Sequence, residues 1–359
     1  MLRRNSILIF LCLIALFFNI EGFASEKKKK KIQPLPAVPV PENNPMTQEK
    51  IELGKKLFFD RRLSGDGTTS CASCHDPEKA FTDASEISLS YPTTRNFRNA
   101  PTLMNSAYAK HLFWDGRAKT LEEQAEFPIM SPFEMNQNLD FVEEEIRIVP
   151  EYREAFKRIF GQDVNIKLIA KAIAAFERTL ISKNAPIDRY LKGDKNALSS
   201  EAKKGLEIFT GKGKCIDCHY GYYLSDQEFH ALMVPENPKY ANEDKFIVTR
   251  RYVAKINKYP DYMNIKEDLG RYFKTKKQKD YKAFKTPTLR EVAKTAPYMH
   301  NGIFKSLDEV IDFFNKGGGE GNKVLKPLNL TEEEKKVLKT FLVEALSGED
   351  LKIKPPDIP

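Results

Sequence analysis

Apolar residues recur at helical spacing in several separate stretches of the chain, and each stretch carries its own start or stop signal. Thr47 precedes Glu49, Ile51, Leu53, Leu57 and Phe58, which predicts a capped helix ended by the Gly65-Asp66-Gly67 turn. Ile166, Ile169, Ile173, Phe176 and Leu180 predict a buried scaffold helix. Ser200-Glu201-Ala202 opens another, carrying Gly205, Leu206, Ile208 and Phe209 before the turn Gly211-Lys212-Gly213. Thr331 and Glu334 form a capping box for a last helix reaching about Leu346, with Val337, Leu338, Phe341, Leu342 and Ala345 on its apolar face. Residues 76–101 are rich in proline and threonine without periodicity and read as a long loop, a feature often tied to function in compact domains. The fold class expected is mainly α.

Two of these helix-then-turn layouts lead into the same five-residue pattern. Gly65-Asp66-Gly67 leads to Cys71-Ala72-Ser73-Cys74-His75, and Gly211-Lys212-Gly213 leads to Cys215-Ile216-Asp217-Cys218-His219. Two thiols three positions apart can each form a thioether to a porphyrin vinyl group, and the adjacent imidazole then lies under the iron. The expected cofactors are therefore two covalently bound haem c groups, attached through Cys71, Cys74, Cys215 and Cys218, with His75 and His219 as proximal ligands. A zinc half-site or a disulfide pair is the alternative for one copy, but the copies lie far apart and no other cysteine pair falls between them. The repetition suggests an internal duplication, with two cytochrome c-like haem domains over residues 45–195 and 196–346 and a polar junction near 188–200.

The 359 residues suffice for two domains, and 41% hydrophobic with 30% charged residues describes a globular protein with real cores. Arg3 and Arg4, an apolar run from Ile7 to Phe18 and the small-x-small triplet Gly22-Phe23-Ala24 read as an export signal over residues 1–24, which places the mature protein in the periplasm. An uncleaved anchor is the alternative, although the run is shorter than the ~20 residues a spanning helix needs. Cys12, the fifth cysteine, lies inside that run behind bulky Phe10 and Leu11, which disfavours lipidation. Lys27 to Lys31 and the following prolines make residues 25–44 a solvated, extended leader, with an anionic surface or acidic partner as its alternative use. Residues 347–359, rich in lysine and proline, are expected to be a flexible tail. The net charge of +8 gives no nucleic-acid reading, because no aromatic-studded basic motif accompanies it.

Beyond the two motifs, a series of words resembles the bacterial dihaem cytochrome c peroxidase family, which includes the MauG-type oxidases. They are Leu53-Gly54-Lys55, Leu57-Phe58-Phe59-Asp60, Leu63-Ser64, Arg98-Asn99-Ala100-Pro101-Thr102, Phe113 to Ala118, Leu121 to Ala125 and Pro132 to Met135. Gly270-Arg271-Tyr272, Phe284 to Arg290 and Thr295 to Gly302 continue the series in the second half. The resemblance implies a peroxidatic haem on His75 with Gln124 and Glu134 over its distal face, and an electron-transferring haem on His219. Trp114 would carry electrons between them. It further implies reduction of hydrogen peroxide to water, a small redox donor such as a c-type cytochrome, and a possible homodimer. A calcium ion would sit between the domains on the Asn99 side chain and the carbonyls of Thr295 and Pro297, ligands suited to a hard cation. On residue type alone Glu134 reads as a solvated helix charge and the lone Trp114 as core. The resemblance makes Glu134 the acid–base group, since cleaving peroxide requires moving a proton from the near oxygen to the leaving one. His230 reads as a propionate partner or a packing residue.

Two departures from the family pattern bear on mechanism. Where members that rest with the first iron blocked carry a loop histidine, the nearest residue here is Tyr91, so an open first haem is expected. Where the second haem usually receives methionine or tyrosine from the helix around 307–314, this chain has Phe314, with Phe313 beside it. Phenylalanine cannot bind iron, which leaves Met299, Met263 or no side chain as the sixth ligand. The rival readings are a MauG-like oxidase of a protein substrate and a non-enzymatic dihaem electron carrier.

Overall fold

A computed structural model describes residues 30–359; the expected export signal lies outside the described residues. The described chain is mainly helical. Its helices are α1 (Gln48–Phe59), α2 (Cys71–Cys74), α3 (Leu121–Met130), α4 (Leu139–Arg147), α5 (Pro150–Phe160), α6 (Ile166–Glu177), α7 (Pro186–Leu191), α8 (Ser200–Thr210), α9 (Asp244–Ile256), α10 (Tyr272–Thr275), α11 (Leu307–Asn315) and α12 (Glu332–Ala345). The only sheet among the described residues is a two-stranded antiparallel ribbon, β1 (Phe229–His230) with β2 (Phe284–Lys285), in which Phe229 faces Lys285 and His230 faces Phe284.

The caps expected from sequence are in place: the Thr47 hydroxyl accepts from the Lys50 amide, and Thr331 and Glu334 close a reciprocal box on α12. Asn165, not expected as a cap, accepts from the Leu168 amide at the start of α6. Helix α8 opens at Ser200 as expected, and Ser199 before it holds the extended backbone of a cap, its side chain accepting from the Ala202 amide. Helix α6 stops at Glu177, three residues before the last apolar position of its pattern, yet Leu180 is fully buried.

Two apolar cores follow the same plan. In the first, α1 crosses α6 so closely that a Cβ on Gly54 would collide with the Ala172 carbonyl, and one turn further Phe58 meets Phe176. In the second, α8 crosses α12 with Gly205 against the Val337 carbonyl, and one turn further Phe209 meets Phe341. A glycine is needed at each crossing for the backbones to approach. Leu53, Leu57, Ile129, Val142, Phe156, Ile169 and Ile173 complete the first core; Ala202, Leu224, Ile311, Leu338 and Leu342 belong to the second.

The two ends of the described chain depart from expectation. Ile32, in the segment expected to be a solvated leader, is buried in the second core and bridges Gly221, two residues beyond His219; the Gly221 amide donates to the Lys31 carbonyl at 2.9 Å. A β-branched residue among lysines and prolines is too brief a signal to read alone, and its burial depends on a distant strand-like edge. Residues 347–359, expected to be flexible, run back to the first core, where Leu351 and Ile353 pack and the Pro359 carbonyl accepts from Arg62 at 2.7 Å. The leading segment thus covers the second core and the trailing segment covers the first. Ala185, Ile187 and Leu198, around the expected polar junction, are buried in the second core, and Asp188 there makes a two-pronged ion pair with fully buried Arg290 at 2.8 and 2.9 Å.

Candidate active site

The first motif forms the single turn α2, steadied by the Ser73 hydroxyl accepting from the Ser70 amide at 3.0 Å. His75 follows it, and its Nδ1 lies 3.0 Å from the Phe81 carbonyl oxygen. The second motif makes a shorter turn, and His219 Nδ1 lies 2.9 Å from the Leu224 carbonyl oxygen. A carbonyl can only accept, so each Nδ1 carries the proton and each Nε2 is left with a free lone pair. Burial holds both imidazoles below their ordinary pKa, so both are neutral near pH 7. This is how a protein sets the orientation and tautomer of a metal-binding histidine.

No disulfide links the four motif cysteines. Burial pushes the Cys74 and Cys215 thiols up to about 12 and Cys71 higher still. Burial therefore keeps these metal-free thiols protonated near pH 7. Near the second motif, Cys218, Asp226 and His230 bring their ligand atoms within 4.8 Å of one another. His230 is held there by a 2.8 Å bond to Asp226, which raises it to about 10. A thioether on Cys218 removes that sulfur as a thiolate ligand.

Gln124 lies on α3 and Glu134 in the turn that leaves it. Pro128 interrupts the ladder of α3 in its last turn, and the turn that follows is fixed by the Glu134 amide donating to the Ser131 carbonyl (3.1 Å) and the Met135 amide to the Pro128 carbonyl (3.1 Å). The Gly65 amide then donates to the Met135 carbonyl at 2.9 Å, tying this turn to the loop that leads into the first motif. Tyr91 reaches the same turn from the long loop, its amide bonded to the Phe133 carbonyl at 3.3 Å. Burial raises the Glu134 carboxyl above its ordinary range, opposed by the nearby Arg117 and Arg98 guanidinium groups. Gln124, Glu134 and Trp114 are all half-buried.

Trp114 sits on the seam between the two halves. Its Nε1 donates to the Asn99 carbonyl at 2.9 Å, and its own carbonyl accepts from the Lys285 amide on β2 at 2.8 Å. Its ring stands edge-on to His300, which stacks on Phe284 at 3.6 Å. Buried Arg98 locks this seam, with one hand on Asp115 at 2.6 Å and the other on Asp268 at 2.7 and 2.9 Å.

Asn99 and the 295–302 segment meet directly, since the Asn99 amide donates to the His300 carbonyl at 2.8 Å. The Asn99 side-chain nitrogen is spent on the Ser85 carbonyl at 2.7 Å, leaving its oxygen uncommitted. Among the described residues the Thr295 and Pro297 carbonyls accept no hydrogen bond. In α11, Phe313 is buried against Phe304, and Phe314 is half-buried with its ring edge-on to Phe313. Met263 is 57% exposed in a turn outside both main cores, whereas Met299 is half-buried beside His300. Lys285, His111 and the buried carboxyl of Glu177 do not stand out from sequence, because what marks each is a missing tertiary partner.

The family model for di-haem cytochrome c peroxidase matches residues 48–196. Over 351 residues the chain is 44% identical to the cytochrome-c peroxidase IdrP1 of Denitromonas iodatirespirans, covering 96% of this chain and 93% of that protein. The chain belongs to the dihaem cytochrome c peroxidase family. It is also 36% identical to the methylamine utilization protein MauG of Methylorubrum extorquens, over 90% of this chain and 85% of that one. Among solved structures it resembles a MauG-like protein associated with microbial copper homeostasis, at a TM-score of 0.73 and 30% identity over 88% of this chain and 95% of that one. Each Cys-x-x-Cys-His pattern lies against one of the two cores, and the turn carrying Glu134 is bonded to the loop that leads into the first.

Proposed function

We propose that this protein is a periplasmic dihaem peroxidase that reduces hydrogen peroxide to water with electrons from a small donor such as a c-type cytochrome. Each core is then a cytochrome c-like domain holding one haem c, through Cys71, Cys74 and His75 in the first and Cys215, Cys218 and His219 in the second. The carrying observation is asymmetry. Both histidines present a free Nε2, but the turn that carries Glu134 is bonded through its backbone to the loop leading into the first motif, by the Gly65 amide donating to the Met135 carbonyl. Bound haem supplies the iron at which peroxide is reduced and the store for electrons.

The chain's own residues handle protons, orientation and the path. Two electrons and two protons convert one peroxide into two waters. Glu134 takes the proton from the near oxygen of peroxide and returns it to the leaving one, a transfer favoured by a carboxyl whose affinity for protons is raised. Gln124 orients the peroxide through its amide. Trp114 spans the seam from Asn99 to Lys285 and offers the aromatic step between the two halves. Calcium fits the uncommitted oxygens of Asn99, Thr295 and Pro297, where a hard cation would pin the seam. Tyr91, bonded beside the Glu134 turn, takes the place of a blocking loop histidine, so the first haem rests open. No described helix is long and apolar enough to cross a membrane.

The purified protein, shown to carry two covalent haems, is tested by peroxide-dependent oxidation of a reduced small c-type cytochrome. Sustained turnover is expected, together with a high-spin component in the resting ferric spectrum. A resting protein that is low-spin at both irons and fails to bind cyanide removes the peroxidase. The absence of methionine from α11 favours a second reading, a MauG-like oxidase of a partner protein; no turnover with reduced cytochromes beside peroxide-driven oxidation of a partner would select it.

A further inference from the structure

Each buried cation of the described fold has polar partners: Arg98 has Asp115 and Asp268, Arg290 has Asp188, Arg178 has Glu122, Arg250 has Glu236, and Lys50 has the Asn44 side-chain oxygen and the Pro45 carbonyl. Lys285 has none. It lies half-buried on β2, where desolvation alone pulls its ammonium down to about 8, and among the described residues it forms no ion pair and no side-chain hydrogen bond. Neutralising the amine by pH is one way to relieve such a site; a counter-ion is the other.

Its position argues for the counter-ion. The Lys285 amide is bonded to the Trp114 carbonyl, and the residue faces Phe229 across the ribbon that follows the second motif. Facing residues of a ribbon point to the same side, so Lys285 shares a face with Phe229. That face is already electropositive. The Arg271 guanidinium lies 3.7 Å over the Phe229 ring, and His111 stands edge-on to it at 5.4 Å. His111 has its own unmet need: its Nδ1 is buried without a partner, and burial first, then Arg271 and Lys285, depress its protonation. The acidic groups nearby are engaged or exposed: Asp280 accepts from Thr275 at 2.7 Å and lies 4.0 Å from Arg271, and Glu228, which favours the charged form of His111, is exposed and does not pair with Lys285. Two unmet cationic or donor groups on one face, next to the residue that joins the halves, call for a carboxylate from outside the polypeptide.

We propose that Lys285 is the anchor for a haem propionate at the seam between the two cores, with His111 lining the same face. This rests on the reading that the chain binds two haems, whose propionates are the carboxylates that reading introduces. Lys285 is on this account a positioning residue. Its cation offsets the propionate charge, favours the ferrous state of that haem and fixes the porphyrin edge beside Trp114.

The test uses the full-length dihaem protein and the variants Lys285→Met and Lys285→Arg. Haem content by pyridine haemochrome comes first; a wild-type chain without covalent haem would defeat the functional proposal itself, separately from this one. With two haems loaded, Lys285→Met is expected to lower the midpoint potential of one haem and leave the other unchanged. The propionate bending mode in its resonance Raman spectrum should shift, and Lys285→Arg should restore both. If Lys285→Met loads poorly, full loading with wild-type potentials in Lys285→Arg supports the anchor, and poor loading in both variants overturns it. Unchanged potentials and Raman modes in fully loaded Lys285→Met also overturn it. So does an effect confined to KM for the reduced cytochrome, which would assign Lys285 to a carboxylate of the donor instead.

Discussion

Phe58 on α1 meets Phe176 on α6 with ring centroids 5.2 Å apart and planes inclined at 58°. Phe209 and Phe341 repeat the relationship at 5.2 Å and 57°. Each pair lies one turn beyond a glycine pressed on the opposing backbone, Gly54 on Ala172 and Gly205 on Val337, so the crossings are set by backbone contact and locked by the rings. Gly54→Ala should therefore lower stability by about 1–3 kcal/mol or prevent accumulation of the holoprotein, even though alanine favours helix. Thermal unfolding of the loaded protein measures it. A melting temperature at or above wild type would show that α1 and α6 can separate without cost.

Glu177 is 3% exposed on α6, one carboxylate oxygen has no partner, and burial raises its carboxyl to about 8. A carboxyl with its folded pKa above the unfolded value binds more protons when folded. Stability is then fully present below about 4.5, the unfolded value, and is lost as pH rises toward 8. Glu177→Gln removes the charge without removing the shape. The variant should match wild type near pH 4 and exceed it by roughly 1–4 kcal/mol at pH 8, read from denaturant midpoints at the two pH values. Parallel curves for the two proteins would mean that Glu177 finds a charged partner.

The helical class and the caps of α1 and α12 are legible in the sequence because their signals are local: a hydroxyl before an apolar period. The parallel between Gly54-to-Phe58 and Gly205-to-Phe209 is legible as a duplication but not as a contact geometry. Helix α9 is not, since the buried positions Phe246, Thr249, Arg250 and Ala254 mix polar with apolar residues and Val248, Tyr252 and Ile256 are exposed. The burial of Ile32 and the packing of Ile353 depend on partners most of the chain away. Lys285 is the same case with the sign reversed, for nothing in a sequence marks a lysine by the anion it lacks.

The trailing segment is placed to brace the first core. Its course is fixed by the Gly348 amide donating to Glu291 at 2.7 Å and the Glu349 amide donating to Lys183 at 2.8 Å, after which Leu351 and Ile353 reach the apolar cluster of α1 and α6. Each is half-buried or nearly so, which gives roughly 1 kcal/mol apiece. Leu351→Asp with Ile353→Asp should shift the urea midpoint down by an amount matching ~2 kcal/mol or more, since the new carboxylates must also stay hydrated. A loose tail would leave the midpoint unmoved.

On the proposed peroxidase reading, the strongest demand falls on Glu134. Burial holds its carboxyl above the ordinary 4.5, so it remains protonated at a pH where an exposed glutamate has ionised. To accept the first proton of peroxide it must be ionised, and the rate at low peroxide should therefore fall on the acid side along a limb whose midpoint lies above 4.5. Glu134→Gln keeps the size and the hydrogen-bonding amide but has nothing to titrate. Its turnover should be lower by about 10²–10⁴-fold, with that limb absent and two haems still attached. The pH profile separates the roles: an intact acid limb in Glu134→Gln would assign the titration to another group, such as a haem propionate, and a wild-type rate would remove Glu134 from proton transfer altogether.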